Sequence, residues 1–276
     1  MNWNNIFAIA KKDLMEVRQN QGAWVPMLVV PLVFIIVFPV AFLVLPAQLH
    51  LSEESLGSAA QMKVLMANMP PAMTQSFAGM NTMQSMILLV LGYMFAPMFL
   101  IFPLMFSTII ASESFAGERE RKTLEALLYS PASDADLFLG KVLAAGVPAV
   151  GITWISFFFY TLVNNIAGYQ LFGGIWFPLP TWWALIFWVT PAIALFGIAF
   201  TVLISVKVQT FMAAYQTSAS TVLLVLALVA GQISGVLYLS VGVGMLVGVI
   251  VWVVDAVLAY FAIRSFNRSR LLINMA

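Results

Sequence analysis

The segment 112–141 carries the residues whose types and spacing best fit a specific role. The chain has 12 Lys and Arg and 11 Asp and Glu residues, and ten of these charges fall within this segment. They are Glu113, Glu118, Arg119, Glu120, Arg121, Lys122, Glu125, Asp134, Asp136 and Lys141. A chain this apolar concentrates charges where it meets water or a partner protein. We therefore look for function here first.

The spacing of residues in this segment predicts a helix, a break and a second helix. Three leucines share one face of the first helix at i, i+3 and i+4: Leu124, Leu127 and Leu128. Opposite charges at i,i+4 would support it, namely Glu118 with Lys122 and Arg121 with Glu125. Pro131 ends it near residues 129–130, and Ser133 with Asp136 resembles a capping box for the next helix. An amphipathic helix of this kind suits docking into a groove on a cytoplasmic partner. The alternative is a solvated loop that only fixes topology.

Asp255 is the one carboxylate well inside a predicted membrane span. A charge at this depth is costly, so the group should be neutral, paired or facing a cavity. One hypothesis makes it a cation or proton site or a substrate contact. The other makes it a hydrogen bond that holds its helix to a neighbour, through Gln216 or Thr217. Gln216 is also a possible substrate or ion contact. Asn81 lies at the mouth of another span, where it could line an exit path.

Metal and thiol chemistry have little support in this sequence. The chain has no cysteine and a single histidine, His50, which cannot form a zinc site alone. Methionines recur around the outer loop at spacings of three or four residues, with one gap of seven: Met62, Met66, Met69, Met73, Met80, Met83 and Met86. Thioethers suit Cu(I), although methionine at helical spacing is more often a compliant apolar face. We find no nucleophile–base pair, so an enzyme is not indicated.

The elements that must position these residues are membrane helices. Of 276 residues, 62% are hydrophobic and 8% are charged, far from the composition of a soluble domain. Six stretches reach the length of about 20 apolar residues that crosses a bilayer. They are Gly22–Leu45, Ser85–Ala111, Val142–Val163, Thr181–Ile204, Thr210–Ala230 and Val236–Ile263. The sequence therefore predicts an all-α polytopic membrane protein with six transmembrane helices.

Basic residues predict how the chain is oriented. Eleven of the 12 Lys and Arg residues lie on one side of these spans, and only Lys63 lies on the other. Both termini are therefore expected in the cytoplasm. Residues 1–21 are predicted to form an amphipathic elbow helix at the interface, with Asp13 on its polar face. Residues 22–276 would form one transmembrane domain, with an outer loop at 46–84 and a second outer connection, Asn164–Pro180, lying along the membrane surface.

The charged segment also resembles a known family. The run Glu113-x4-Glu118-Arg-Glu120-x2-Thr123-x-Glu125-x-Leu127-Leu128-x-Ser130-Pro131, followed by Gly140-Lys141, is similar to the signature of type-two ABC exporter permeases. It is most similar to the sodium-export and drug-export branch. The resemblance implies that two permeases, identical or paralogous, each dock a separate ATPase subunit that holds ATP and Mg. The implied docking residues are Glu113, Glu118, Arg119, Glu120, Arg121, Thr123, Leu124, Glu125, Leu127 and Leu128.

These observations predict the permease subunit of an ABC exporter in the inner (plasma) membrane of a prokaryote. The only Gly-Lys pair, Gly140-Lys141, lacks the glycine and the Ser or Thr of a phosphate-binding loop, so this chain should bind no cofactor itself. Basic residues are dispersed, which argues against nucleic acid. The alternatives are a gradient-driven carrier or channel coupled through Asp255, and a membrane scaffold that recruits a cytoplasmic protein. Sodium, drugs, lipids, peptides and copper all remain open as substrates.

Overall fold

The fold is built mainly from α-helices, and no strand occurs in the part of the chain that the computed structural model describes. That part comprises residues 2–44, 69, 74–123, 132–234 and 238–265. Helices satisfy every backbone polar group within one segment, which lipid requires of a spanning structure. Within these residues, six helices are long and apolar enough to cross a membrane. The prediction of an all-α protein with six membrane-spanning helices is confirmed.

Seven long helices follow one another in the described residues. Helix α1 covers Trp3–Gln19 and precedes the apolar helices. The six apolar helices are α2 Gln21–Leu43, α3 Thr82–Glu120, α4 Asp134–Phe172, α5 Pro180–Ser205, α6 Phe211–Ile233 and α7 Val241–Arg264. Most of the predicted outer loop, residues 46–68 and 70–73, lies outside the described residues.

Helices α3 and α4 are much longer than predicted. Each has 39 residues, or roughly 58 Å at 1.5 Å per residue, against a hydrocarbon core of about 30 Å. The segment between them is therefore residues 121–133, and the two ends of the predicted connector, 112–120 and 134–141, belong to α3 and α4. The charges between Ser112 and Glu120 lie on a helix. These charged side chains are accommodated on a helix because residues of other helices, rather than water, bind them.

The far end of α4 corrects the second outer connection. Helix α4 continues to Phe172, and Gly173 ends it with a left-handed φ of 71°. The Asn165 carboxamide then holds the chain against α4, because its Nδ2 donates to the Phe177 carbonyl at 2.7 Å and its Oδ1 accepts from the Trp176 N–H at 3.0 Å. The first half of the predicted Asn164–Pro180 connection is therefore helix, and the rest folds back onto the bundle.

Helix α3 is the centre of the bundle. In its most apolar stretch, 78% of the residues of α3 are buried, whereas the corresponding fractions are 22% for α2, 22% for α6 and 17% for α7. Close approach to α5 depends on Gly197, where an added Cβ would lie 2.3 Å from Ser107 Oγ. Small residues at such crossings let the backbones of membrane helices meet. The three peripheral helices leave broad apolar faces uncovered.

A π-helical turn in α3, Leu88–Met94, ties the other helices to it. Three successive carbonyls in this turn accept hydrogen bonds from side chains of three helices. The Tyr160 hydroxyl of α4 donates to Leu91 at 2.8 Å, Trp182 Nε1 of α5 donates to Gly92 at 2.6 Å, and Gln232 Nε2 of α6 donates to Tyr93 at 2.8 Å. Pro97 has no N–H for the Tyr93 carbonyl. Within lipid no water is present to donate to these carbonyls. The side-chain donors of the other helices must therefore lie at this turn, which fixes where those helices pack against α3.

Replacing Tyr160 with phenylalanine should therefore destabilise the fold. The substitution keeps the buried ring and leaves the Leu91 carbonyl without its donor. We expect the free energy of unfolding to fall by about 0.5–2 kcal/mol, measured by denaturant unfolding in detergent micelles. Tyr169→Phe is the matched control, because Tyr169 lies on the same helix with 60% of its surface exposed. Equal effects of the two substitutions would contradict a role for the Tyr160 hydrogen bond.

Candidate functional site

The end of the bundle where α3 finishes and α4 begins, called the charged end below, holds a network of buried ion pairs. Its centre is Lys141 of α4, whose side chain is fully buried. The Lys141 Nζ lies 3.3 Å from an Asp13 carboxylate oxygen, 2.7 Å from a Glu118 oxygen and 2.6 Å from the Ser114 carbonyl. The contact with Glu118 is an ion pair without hydrogen-bond alignment. Asp13 and Glu118 are fully buried as well.

Helix α1 delivers Asp13 to this centre. Its buried face consists of Ile6, Ile9, Asp13 and Val17, spaced by three or four residues as a helix face requires. The prediction that Asp13 lies on the polar face is therefore wrong. The Ser114 hydroxyl donates to Asp13, which satisfies the carboxylate further. Burial of this carboxylate among apolar residues is tolerable only because it is paired and hydrogen-bonded.

Gly140 allows α1 to lie against α4. A Cβ at Gly140 would come within 2.9 Å of the Ile9 side chain and 3.1 Å of the Ile6 carbonyl oxygen. The first residues of the two helices are joined too, since the Asn2 N–H donates to Asp136 at 3.0 Å. Asp136 also completes the predicted capping box with Ser133, which is confirmed.

Lys12 and Arg121 form the more exposed rim of the network. Lys12 Nζ contacts three carboxylates, those of Asp13, Glu16 and Glu118. Arg121 forms two ion pairs, one from its Nη2 to Glu16 Oε2 at 2.9 Å and one from its Nη1 to Glu113. Burial lowers the pKa of the Lys12 ammonium, but its contacts with Glu118, Asp13 and Glu16 together outweigh burial and raise the pKa above the usual value for lysine. Both rim cations therefore remain charged at neutral pH.

The network balances its charges almost completely. Four carboxylates face three cations: Asp13, Glu16, Glu113 and Glu118 against Lys12, Arg121 and Lys141. Asn20 adds a neutral donor, since its Nδ2 donates to Glu113 at 2.8 Å. Ligand atoms of Asp13, Glu16 and Glu118 lie within 4.8 Å of one another, as in a metal site. The Lys12 ammonium contacts all three, however, and takes the place that a metal would need.

The next two residues of α3 bind the ends of α5 and α6. Arg119 Nη1 donates to the carbonyls of Ser205, Val206 and Val208, at 2.8 to 3.2 Å. Glu120 accepts from the Phe211 N–H at 2.8 Å, at the start of α6. A cation at a helix C-terminus and an anion at an N-terminus both agree with the helix dipole. The end of α3 therefore contacts α1, α4, α5 and α6.

Lys122 ends helix α3. Its φ is 57°, in the left-handed region. The Thr123 N–H donates to the Glu118 carbonyl at 3.0 Å and the Lys122 N–H to the Arg119 carbonyl at 3.1 Å, which is the Schellman pattern of a helix C-terminus. The helix predicted to run on towards Pro131 is therefore interrupted at Lys122. The expected pair of Glu118 with Lys122 gives way to Glu118 with Lys12 and Lys141.

The structure describes six of the ten predicted docking residues, and these six separate into a buried group and an exposed group. Glu113 and Glu118 are buried and Arg119 is half-buried, all three committed to contacts within the chain. Glu120, Arg121 and Thr123 are exposed at the charged end. The remaining four, Leu124, Glu125, Leu127 and Leu128, lie outside the described residues.

The three other predicted contact residues lie apart. Asn81 is exposed and caps the far end of α3, in a capping box with Gln84. Gln216 is exposed on α6. Asp255 is buried on α7, and within the described residues its carboxylate has no hydrogen-bond partner, so the expected bond to Gln216 or Thr217 does not form. No common site unites the three.

Sequence reasoning missed Asp13, Glu16 and Lys12 as members of a site, and it placed Lys141 in the charged segment without naming it as a site residue. A signal for Asp13 existed: it falls in register with Ile6, Ile9 and Val17, so an acid interrupts an apolar stripe. An acid on the inward face of a helix predicts a buried partner. No comparable signal in the sequence identifies which lysine that partner is.

We expect Asp13 and Lys141 to be strongly coupled in stability. Asp13→Asn removes one of the two carboxylates beside the buried Lys141 ammonium, and Lys141→Met removes the cation that Asp13 and Glu118 share. Because each change breaks a buried ion pair from one side, each should lower the free energy of unfolding by about 3–5 kcal/mol. The double variant removes one charge of each sign and should cost clearly less than the sum. Unfolding in detergent of the four proteins of the cycle measures this coupling. Lys11→Met, at an exposed neighbour on α1, should change little. Additive losses would contradict the coupling.

Comparison of the chain with models of known protein families identifies the same family that the charged segment resembles. The family described as ABC-2 family transporter protein matches residues 7–245. No curated protein and no solved structure matches this chain. The family match includes α2 to α6, the beginning of α7, and every residue of the ion network. The chain belongs to the ABC-2 transporter family and is an ABC transporter permease.

Proposed function

We propose that this chain is the membrane subunit of an ABC exporter, which moves substrate out of the cytoplasm by alternating access while a separate ATPase supplies the energy. The observation that carries this proposal is the buried ion network together with the contacts of Arg119 and Glu120. Through them the end of α3 holds four other helices. A force applied just beyond α3 would reach all of them at once.

The ATPase would dock on the exposed residues that follow this anchor. Glu120, Arg121 and Thr123 are exposed at the charged end. The amphipathic run with Leu124, Glu125, Leu127 and Leu128 continues from them in sequence. An apolar face flanked by charges suits a groove on a soluble partner. Glu113, Glu118 and Arg119 then transmit the movement and do not touch the partner.

The energy source lies outside this chain in our proposal. Lys141, the lysine of the only Gly-Lys pair, sits within helix α4 with its ammonium enclosed by Asp13, Glu118 and Ser114. It is therefore not available to a phosphate. ATP and Mg would be bound by the partner subunit, whose closure around nucleotide moves the docking segment.

Topology and assembly follow from charge and from uncovered surface. The charged end would face the cytoplasm, as the positive-inside rule requires. Helix α1 would lie at the interface, where its exposed Trp3 and Phe7 reach the lipid. The broad apolar faces of α2 and α6 suit lipid or a second permease, identical or paralogous. The membrane would be the inner membrane of a prokaryote.

A gradient-driven carrier is the second candidate, because Asp255 is a buried carboxylate with no partner among the described residues. Such a carrier would transport without nucleotide. It would also need no docking segment. Co-purification and nucleotide dependence therefore separate the two functions.

We expect Leu127→Asp to release the ATPase while the permease still inserts into the membrane. A charge on the apolar docking face should remove most of the binding affinity. The measurement is affinity purification of the tagged chain from native membranes, followed by a vanadate-sensitive ATP hydrolysis assay. Leu51→Asp, in the predicted outer loop, is the matched control and should retain the ATPase.

Two results would count against the proposal. Normal ATPase recovery with Leu127→Asp would remove the docking role of this segment. A wild-type preparation with no ATPase, which still transports along an ion gradient, would favour the carrier.

A further inference from the structure

A cavity of about 300 Å³ opens between α4, α5 and α7, and no residue of the ion network lines it. Its walls are almost entirely apolar and include Phe138, Val142, Leu195 and Ile198. The polar groups that line it are Asp255 and the indole of Trp252, both on α7. This volume lies at the lower end of the range of small-molecule sites in proteins.

Asp255 points to a missing partner in this cavity. Only 5% of its surface is exposed, and neither carboxylate oxygen has a hydrogen-bond partner within the described part of the chain. The buried Trp252 Nε1 likewise has no hydrogen-bond acceptor among the described residues. Buried polar groups are nearly always satisfied, and an acid at membrane depth is costly to leave alone. The carboxylates of the ion network, by contrast, all have cations.

The cations on the helices that line the cavity are engaged elsewhere. Lys141 of α4 is enclosed by Asp13 and Glu118. Arg264 of α7 lies over the Tyr260 ring, 4.3 Å from its centroid. Helix α5 contains no Lys or Arg. A cation beside Asp255 would therefore come from outside the described part of these helices.

We propose that this cavity binds the protonated amine of an amphiphile, with Asp255 as its counter-ion and the apolar walls around its carbon skeleton. A carboxylate gives an ammonium a charge-assisted hydrogen bond. Trp252 also lines the cavity, and an indole ring attracts a cation placed over its face. A metal ion or sodium fits poorly, because hard cations require several oxygen ligands and the lining side chains supply one carboxylate.

This inference adds a ligand class to the proposed permease, and it rests on that proposal only in making the ligand a candidate substrate. Binding itself requires neither ATPase nor nucleotide. The amine has two possible sources, an aminophospholipid of the bilayer or a free amphiphilic amine dissolved in it. Both present an ammonium beside an apolar chain.

The test uses the full chain in phosphatidylcholine nanodiscs and a dodecylammonium probe carrying a photoreactive diazirine. We expect the probe to label peptides of α4, α5 and α7 that line the cavity. Excess dodecylammonium should compete, and excess dodecanol should not. Asp255→Asn, which keeps the shape, should weaken labelling about tenfold, as expected for loss of one charge-assisted hydrogen bond. Asp255→Glu should retain it.

Competition on the wild-type chain needs no variant and so is independent of folding. Equal competition by dodecanol, or undiminished labelling of a folded Asp255→Asn variant, would overturn the proposal. Suppression of labelling in nanodiscs that contain phosphatidylethanolamine would identify a lipid amine as the source, and labelling unaffected by that lipid would identify a free amphiphile. A failure here leaves ATPase co-purification intact, so the two proposals fall separately.

Discussion

The buried ammonium of Lys141 is the constraint on which the charged end of this protein depends. An ammonium removed from water costs several kcal/mol unless its donors are satisfied. Here that requires Asp13 from α1 and Glu118 and Ser114 from α3 at the same time. The three helices cannot separate without exposing an unpaired charge to an apolar interior. Lys12 and Arg121 extend the same requirement outwards through Glu16 and Glu113. We conclude that α1, the end of α3 and the start of α4 form one rigid unit.

In the middle of the bundle, buried polar groups must also be satisfied, and there neutral hydrogen bonds satisfy them instead of ion pairs. The carbonyls of the π-helical turn in α3 accept from Tyr160, Trp182 and Gln232 on three neighbouring helices. Helix α3 is thus fixed to its surroundings at two levels, by hydrogen bonds at Leu88–Met94 and by ion pairs at Glu113–Arg121. Movement at the charged end would be carried along a helix whose other contacts are already specified. This suits a protein in which energy is delivered at one end and substrate is handled within the membrane.

The sequence predicts the six spans well because each requires only a run of apolar residues, which is a local property. The capping box of Ser133 and Asp136 is equally local, and it is confirmed. The network was not predictable in the same way. Glu118 stands four residues before Lys122, which suggests a local pair, yet its partners are Lys12 and Lys141, more than 20 residues away in the chain. The end of α3 was also missed, because Lys122 takes the left-handed conformation that glycine or asparagine usually marks. At the charged end, the predicted ends of the spans fell short because charges normally end a membrane helix, and here residues of other helices neutralise them.

The most direct test of the rigid unit is a distance measurement between spin labels on α1 and on the end of α3. The chain has no cysteine, so introduced cysteines at the exposed positions Phe7 and Lys122 can be labelled selectively. Diluting the labelled chain into an excess of unlabelled chain isolates the distance within one subunit. We predict the same distance distribution in the nucleotide-free and vanadate-trapped complexes, while the distance between Lys122 labels on the two permeases of a complex changes. A Phe7–Lys122 distance that changes as much as the distance between permeases would contradict the account.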